Sequence, residues 1–135
     1  MTKNTLADTR INALAHQKTM LVLRKELQIE AANQAKELST LAKDRKSILK
    51  EIDVLERMQQ ALKPSESKQS DVTVLADGLV FELGKLQLLD LKIAEIQSLL
   101  ADTEALLSEV NTILAQLESS VKKADKVLEP RRARP

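Results

Sequence analysis

An apolar residue recurs at every seventh position through both halves of the chain, and this repeat limits the possible fold more than any other feature. From Leu6 to Leu62, eight of the nine residues at this spacing are apolar. From Val72 to Leu128, all nine are apolar. A strict seven-residue repeat sustained over this many turns is typical of α-helices that supercoil around one another. The repeat therefore predicts two long helices of equal heptad length.

Prolines and polar residues divide the chain into five predicted segments. These are an N-terminal extension at residues 1–4, helix 1 at 5–63, a polar connector at 64–70, helix 2 at 71–129 and a basic tail at 130–135. A short polar connector between helices of equal length favours antiparallel neighbours. We therefore predict an all-α fold, a long antiparallel two-helix coiled-coil hairpin.

Local signals at the helix ends support these boundaries. Residues 5–8 have the spacing of a capping box, and Ser70 or Asp71 is suited to the N-cap of helix 2. Pro64 and Pro130 follow the predicted helix ends, because the residue before a proline disfavours helical backbone.

The antiparallel arrangement also fixes a register. It places Leu6 near Leu128 and Leu62 near Val72. Residues 1–62 carry a net charge of +3, whereas residues 71–128 carry −5. Exposed ion pairs contribute only about 0–1 kcal/mol each, so this asymmetry selects the pairing of the two segments more than it stabilises it.

The two helices contribute unequally to the predicted seam. The companion line of helix 2 has six apolar residues among its eight positions: Leu75, Glu82, Leu89, Ile96, Thr103, Val110, Leu117 and Ala124. The companion line of helix 1 has three among eight: Arg10, Gln17, Arg24, Ala31, Leu38, Arg45, Ile52 and Gln59. We expect Ile11, Leu14 and Leu21, on an adjoining line, to compensate in part.

A third apolar line on helix 2 consists of Leu99, Leu106 and Ile113. A two-stranded seam needs a narrow apolar stripe, whereas a larger bundle needs a wide one. The stripe of helix 2 is wider than one facing helix can cover, so these three residues are the predicted partner-binding site. A second copy of the chain, giving a four-helix bundle, is the simplest partner, and a different protein is the alternative.

Three polar residues, Gln34, Glu82 and Thr103, interrupt the apolar lines. Polar residues at such positions can specify register or oligomeric state at a cost in stability. The alternative is that they lie at the solvated margin of a wide seam. The predicted register brings Gln34 and Thr103 within one turn of each other, which suggests a shared polar layer that specifies register or oligomeric state.

Residues 72–83 allow a second interpretation. They contain β-branched residues and the pair Asp77-Gly78, which is a strong local signal for a β-hairpin. A helix, β-hairpin and helix in succession resemble the layout of prefoldin-type chaperone subunits. The size and two-helix plan are similar to those of small coiled-coil stalk proteins of bacterial secretion ATPases. Either resemblance implies a chaperone or escort role.

The residue inventory argues against an enzyme. His16 is the single histidine, its helical neighbours form no ligand set, and the chain has no cysteine, so we expect no metal, cofactor or catalytic residues. Acidic pairs such as Asp102 and Glu104 are expected on a solvated face, since acid–base catalysis needs a cleft. The tail arginines Arg131, Arg132 and Arg134 are interpreted as a solubilising terminus.

The remaining expectations concern location and partners. The net charge is +1, which makes nucleic acid an unlikely main partner. No stretch of the sequence predicts a signal peptide or a membrane span, so a soluble, cytoplasmic protein is expected. The predicted function is that of a structural or adaptor coiled-coil protein mediating protein–protein assembly, as a homo-oligomer or a subunit of a complex. A chaperone or escort protein is the alternative.

Overall fold

The fold consists of two long helices packed against each other. The structure, a computed structural model, describes residues 3–62 and 68–132, with side chains over 5–62 and 68–128. Helix α1 spans Lys3–Ala61 and helix α2 spans Gln69–Arg132. No strand occurs within the described ranges. The all-α prediction is therefore confirmed, and the β-hairpin interpretation of residues 72–83 is wrong, because this segment lies inside α2.

Contacts divide the chain into two compact units, each formed by a part of α1 and a part of α2. The first unit comprises Met1–Ala32 with Ala101–Pro135, and the second comprises Asn33–Leu100. In the first unit, Arg10 Nε lies 2.6 Å from Asp125 Oδ1. In the second, Arg45 Nε lies 2.7 Å from Asp90 Oδ1. Each pair agrees within one residue with the predicted antiparallel register.

Burial within each unit follows the predicted heptad lines. Every seventh residue from Leu6 to Leu62 and from Val72 to Leu128 is buried or partly buried. The same holds for both companion lines, with Gln59 as the exception among their members. The most deeply covered apolar side chains are Val110 and Ala124, each 4% exposed. The period of seven therefore places the side chains of both seams correctly, because successive members of a heptad line share one helix face.

The helix ends differ from the predicted ones. Helix α1 already includes Lys3, so the proposed capping box at residues 5–8 lies inside the helix and does not begin it. The carbonyl of Lys68 accepts the first bonds of α2, from the amides of Asp71 at 3.0 Å and Val72 at 3.3 Å. Neither Ser70 nor Asp71 is therefore the N-cap. Asp71 lies in the first turn, where a carboxylate interacts favourably with the helix dipole.

The C-terminal ends of both helices also differ from the predicted ones. Helix α1 ends at Ala61, and the amide of Leu62 bonds to the carbonyl of Gln59 at 3.3 Å, which tightens the last turn. Of the predicted connector, residues 64–67 lie outside the described residues. Helix α2 continues through Pro130 to Arg132, because a proline removes one backbone hydrogen bond without preventing a further turn. Residues 133–135 of the predicted tail lie outside the described residues.

Candidate interaction surface

The predicted partner-binding residues lie outside the seam. In the first unit, the side chains of Leu106 and Ile113 are 49% and 36% exposed. In the second unit, Leu99 is 48% exposed. These three residues, called here the α2 flank, follow one another at seven-residue spacing along a helix whose seam lines are already covered. Their side chains therefore form exposed apolar surface outside the seam.

Acidic side chains border the α2 flank in the first unit. Asp102 and Glu109 are exposed and lie four residues before Leu106 and Ile113, respectively. Residues four apart on a helix are neighbours on its surface. The flank thus combines a central apolar line with a negatively charged edge, which suits a partner helix that has an apolar stripe and a basic margin.

The adjoining line of α1 does not extend the seam as expected. Ile11, Leu14 and Leu21 are 61%, 36% and 43% exposed in the first unit. The expectation that they compensate for the poor companion line of α1 is therefore wrong. Instead, Arg10, Gln17 and Arg24 remain partly covered on that line, because the long aliphatic part of such side chains can pack while the polar end reaches the margin.

The polar interruptions of the seam are buried. Gln34, in the second unit, is 9% exposed, and Thr103, in the first unit, is 7% exposed. They do not lie at a solvated margin, so that alternative is wrong. Their role in specifying register or oligomeric state stays a prediction.

Glu82 is the charged residue among the three interruptions. Its side chain is 14% exposed, and Oε1 lies 2.9 Å from Lys85 Nζ. The second oxygen, Oε2, is buried and has no hydrogen-bond partner among the described residues. A carboxylate oxygen removed from water without a partner destabilises the fold.

One exposed surface was missed by the sequence interpretation. In the second unit, Val74, Phe81 and Leu88 are 69%, 65% and 70% exposed, at seven-residue spacing on α2. Their seven-residue spacing is visible in the sequence. The two seam lines of α2 have the same spacing over more residues, so they dominated the interpretation. The chain's single aromatic side chain therefore lies in solvent, next to Lys85, whose Nζ is 4.8 Å from the ring centroid.

The described residues contain no group of three or more side chains suited to a metal ion. His16 is exposed on α1. The grooves along the helices are shallow; one of about 510 Å³ in the second unit is lined by residues that include Asp44, Lys85 and Lys92. Within the described ranges, neither helix contains an apolar stretch long enough to cross a bilayer.

Comparisons with protein-family models, curated proteins and solved structures find no match.

Proposed function

We propose that this chain is a structural or adaptor protein that binds a protein partner through the α2 flank. The observation that carries the proposal is the exposure of Leu106 and Ile113 on a helix whose seam lines are covered. Exposed apolar side chains aligned along one helix line are typical of interaction surfaces. The mode of binding is helix-in-groove association, in which the partner provides apolar contacts along the line.

The expected contribution of the flank follows from its exposure. Complete burial of a Leu or Ile side chain contributes about 1.5–3 kcal/mol, and these residues are between a third and a half exposed, so each can add about 1 kcal/mol. Three such residues together contribute on the order of 3 kcal/mol, which corresponds to roughly a hundredfold in affinity. Basic residues at the partner's margin would add charge complementarity to Asp102 and Glu109, which favours faster association.

The proposal is tested by placing glutamate at all three flank positions, Leu99, Leu106 and Ile113. The chain is isolated under native conditions from its source cells, and its solution mass is measured by light scattering together with its far-UV circular dichroism. We expect the assembly to dissociate while helicity is retained. Ser120→Glu is the matched control, because Ser120 is exposed and lies on the same heptad line one heptad beyond Ile113.

Two results would contradict the proposal. If the triple variant loses its helicity, the flank belongs to the internal core of the hairpin. If the solution mass of the native assembly is the same for the triple variant and the wild type, the flank holds no partner.

A chaperone or escort role is the second candidate. It is favoured by the exposure of Val80, Leu83 and Leu91, which lie on other lines of α2 and are 71%, 50% and 64% exposed. Apolar side chains distributed around a helix suit clients without a fixed shape. Suppression of the aggregation of a denatured client would support this role, whereas binding of one partner in a fixed ratio supports the adaptor role.

A further inference from the structure

A second exposed apolar line of the first unit lies on α1. Leu14 and Leu21 are exposed seven residues apart, and the exposed side chains of Lys18 and Lys25 follow them by four residues. These four residues are called here the α1 face. Residues four apart are neighbours on a helix surface, so the α1 face has an apolar line with a basic margin. No acidic residue occurs on its two heptad lines at positions 11–28.

The part of the α2 flank in the first unit has a margin of the opposite charge. Leu106 and Ile113 form its apolar line, and Asp102 and Glu109 form its margin. No basic residue occurs on these two heptad lines at positions 102–116. The ion pairs of the described residues involve other side chains than these two carboxylates and the two lysines of the α1 face. The first unit thus carries two complementary surfaces, one on each helix.

The two surfaces have the same spacing when they run antiparallel. Forwards along α1 from Leu14, apolar and basic residues alternate at intervals of four, three and four positions. Backwards along α2 from Ile113, apolar and acidic residues alternate at the same intervals. Antiparallel alignment therefore gives two apolar layers and two layers of opposite charge: Leu14 with Ile113, Lys18 with Glu109, Leu21 with Leu106, and Lys25 with Asp102.

A parallel alignment of the same intervals is unfavourable. It places both leucines of the α1 face against carboxylates and both lysines against the apolar residues of the flank. Charged side chains buried against apolar ones lose hydration without gaining a partner. The spacing therefore selects the antiparallel direction.

One hairpin cannot bring its own α1 face to its own flank, because the two surfaces lie on opposite edges of the first unit. The ion pair of Arg10 Nε and Asp125 Oδ1, 2.6 Å apart, marks one edge of the seam. Leu14 lies four residues after Arg10, on the same edge. On α2, the two seam lines separate the line of Asp125 from the line of Ile113, so the flank lies on the other edge.

We infer that the partner of the α2 flank is a second copy of this chain, whose α1 face packs antiparallel against the flank in the first unit. This inference rests on the proposed function, because it names the occupant of the same surface. The opposite positions of the two surfaces make the contact heterologous, so that each copy uses its flank toward one neighbour and its α1 face toward another. Such contacts give rings or open chains of copies.

The strength of the contact follows from its size. Four layers, about two heptads, form a smaller surface than a standard interface of about 800 Å² per partner, so we expect a dissociation constant in the micromolar range. The charged layers choose the partner and its direction more than they add affinity.

The first experiment measures the mass of the purified full chain by sedimentation equilibrium from about 1 µM to several hundred µM. The average mass of the wild type should rise with concentration and pass that of a dimer. A face variant with Leu14→Glu and Leu21→Glu should assemble at least tenfold more weakly. A flank variant with Leu106→Glu and Ile113→Glu should be weakened to the same extent, since each variant removes one side of the same contact.

The second experiment mixes the two variants. The face variant keeps its flank and the flank variant keeps its α1 face, so the mixture should form a dimer of one copy of each with wild-type affinity and nothing larger. Asn12→Glu with Asn111→Glu is the matched control and should assemble like the wild type, because both residues are exposed and lie off the two surfaces. Circular dichroism checks that every variant keeps its helicity.

The third experiment tests the direction in the same mixture. Lys25→Glu, added to the flank variant, should raise the dissociation constant at least tenfold because it faces Asp102 of the other copy. Asp102→Lys, added to the face variant, should then restore the affinity. Glu109→Lys in its place should not, since that residue faces Lys18.

The inference is overturned if the wild type is monomeric throughout the concentration range, if the face variant assembles like the wild type, or if the mixed variants do not bind each other. Recovery with Glu109→Lys instead of Asp102→Lys would overturn the antiparallel arrangement. If the purified wild type is monomeric while the native assembly from source cells is lost in the triple flank variant, the flank binds a different protein. The proposed function would then stand without this inference.

Discussion

Replacing Glu82 by leucine should stabilise the hairpin. Glu82 lies on a seam line of the second unit, with Oε2 buried and without a hydrogen-bond partner among the described residues. Its other oxygen forms an ion pair with Lys85, whose side chain is 46% exposed. The predicted register places Ile52 opposite, and that side chain is 7% exposed. A leucine at position 82 therefore enters an apolar site of nearly the same size.

The magnitude follows from three contributions. Burying a leucine contributes about 1.5–3 kcal/mol, and removing an unsatisfied buried polar atom recovers on the order of 1 kcal/mol or more. Losing the ion pair between residues three apart costs about 0.2–0.5 kcal/mol. Imperfect packing of the new side chain offsets part of the gain, typically about 1 kcal/mol. We expect the free energy of unfolding to rise by about 2 kcal/mol.

Thermal and urea denaturation of Glu82→Leu measure this change directly. For a chain of this size about 3–5 °C accompany each kcal/mol, so the melting temperature should rise by roughly 6–10 °C. Glu82→Gln, which removes the charge and keeps the polarity, should give a smaller gain. Glu95→Leu is the exposed control and should change stability by less than about 0.5 kcal/mol. A fall in stability for Glu82→Leu would refute the reasoning, since the Lys85 ion pair would then outweigh the desolvation of the carboxylate.

Three further predictions concern the seam. A double-mutant cycle on Arg10 and Asp125 should give a coupling energy of about 1 kcal/mol or less that decreases in high salt, because both side chains are partly exposed; a coupling independent of salt would contradict this. Gln34→Leu with Thr103→Leu should change the solution mass or the register measured by cross-linking, and a rise in melting temperature alone would show that neither residue specifies them. Val110→Ala should cost about 2 kcal/mol in urea denaturation because the side chain is 4% exposed, and a cost below about 0.5 kcal/mol would mean that the seam closes around the smaller residue.

The candidate site could be predicted only in part. The spacing of Leu99, Leu106 and Ile113 identifies an apolar line, and its position outside the two seam lines follows from helix geometry alone. The exposed line of Val74, Phe81 and Leu88 has the same spacing, but Gly78 and the β-branched residues near it instead suggested a turn. Whether a glycine lies in a turn or on a helix face depends on what surrounds it, and a local pattern does not contain that information.

The sequence by itself determined the two helices, their antiparallel register and the side chains that form the seam. These properties follow from a period of seven residues repeated along the chain, because each heptad independently favours the same face and their preferences add. The unbroken line from Val72 through Leu79 and Leu86 already favoured the helix over the hairpin signal at Asp77-Gly78.

Only the tertiary structure decided how deeply each polar residue is buried and where the helices end. The burial of Gln34, Thr103 and the carboxylate of Glu82 depends on the side chains that the opposite helix brings to each layer, and these come from distant parts of the sequence. The extension of α2 through Pro130 is likewise a result of the whole helix, because a helix already formed over many turns can continue past one missing hydrogen bond.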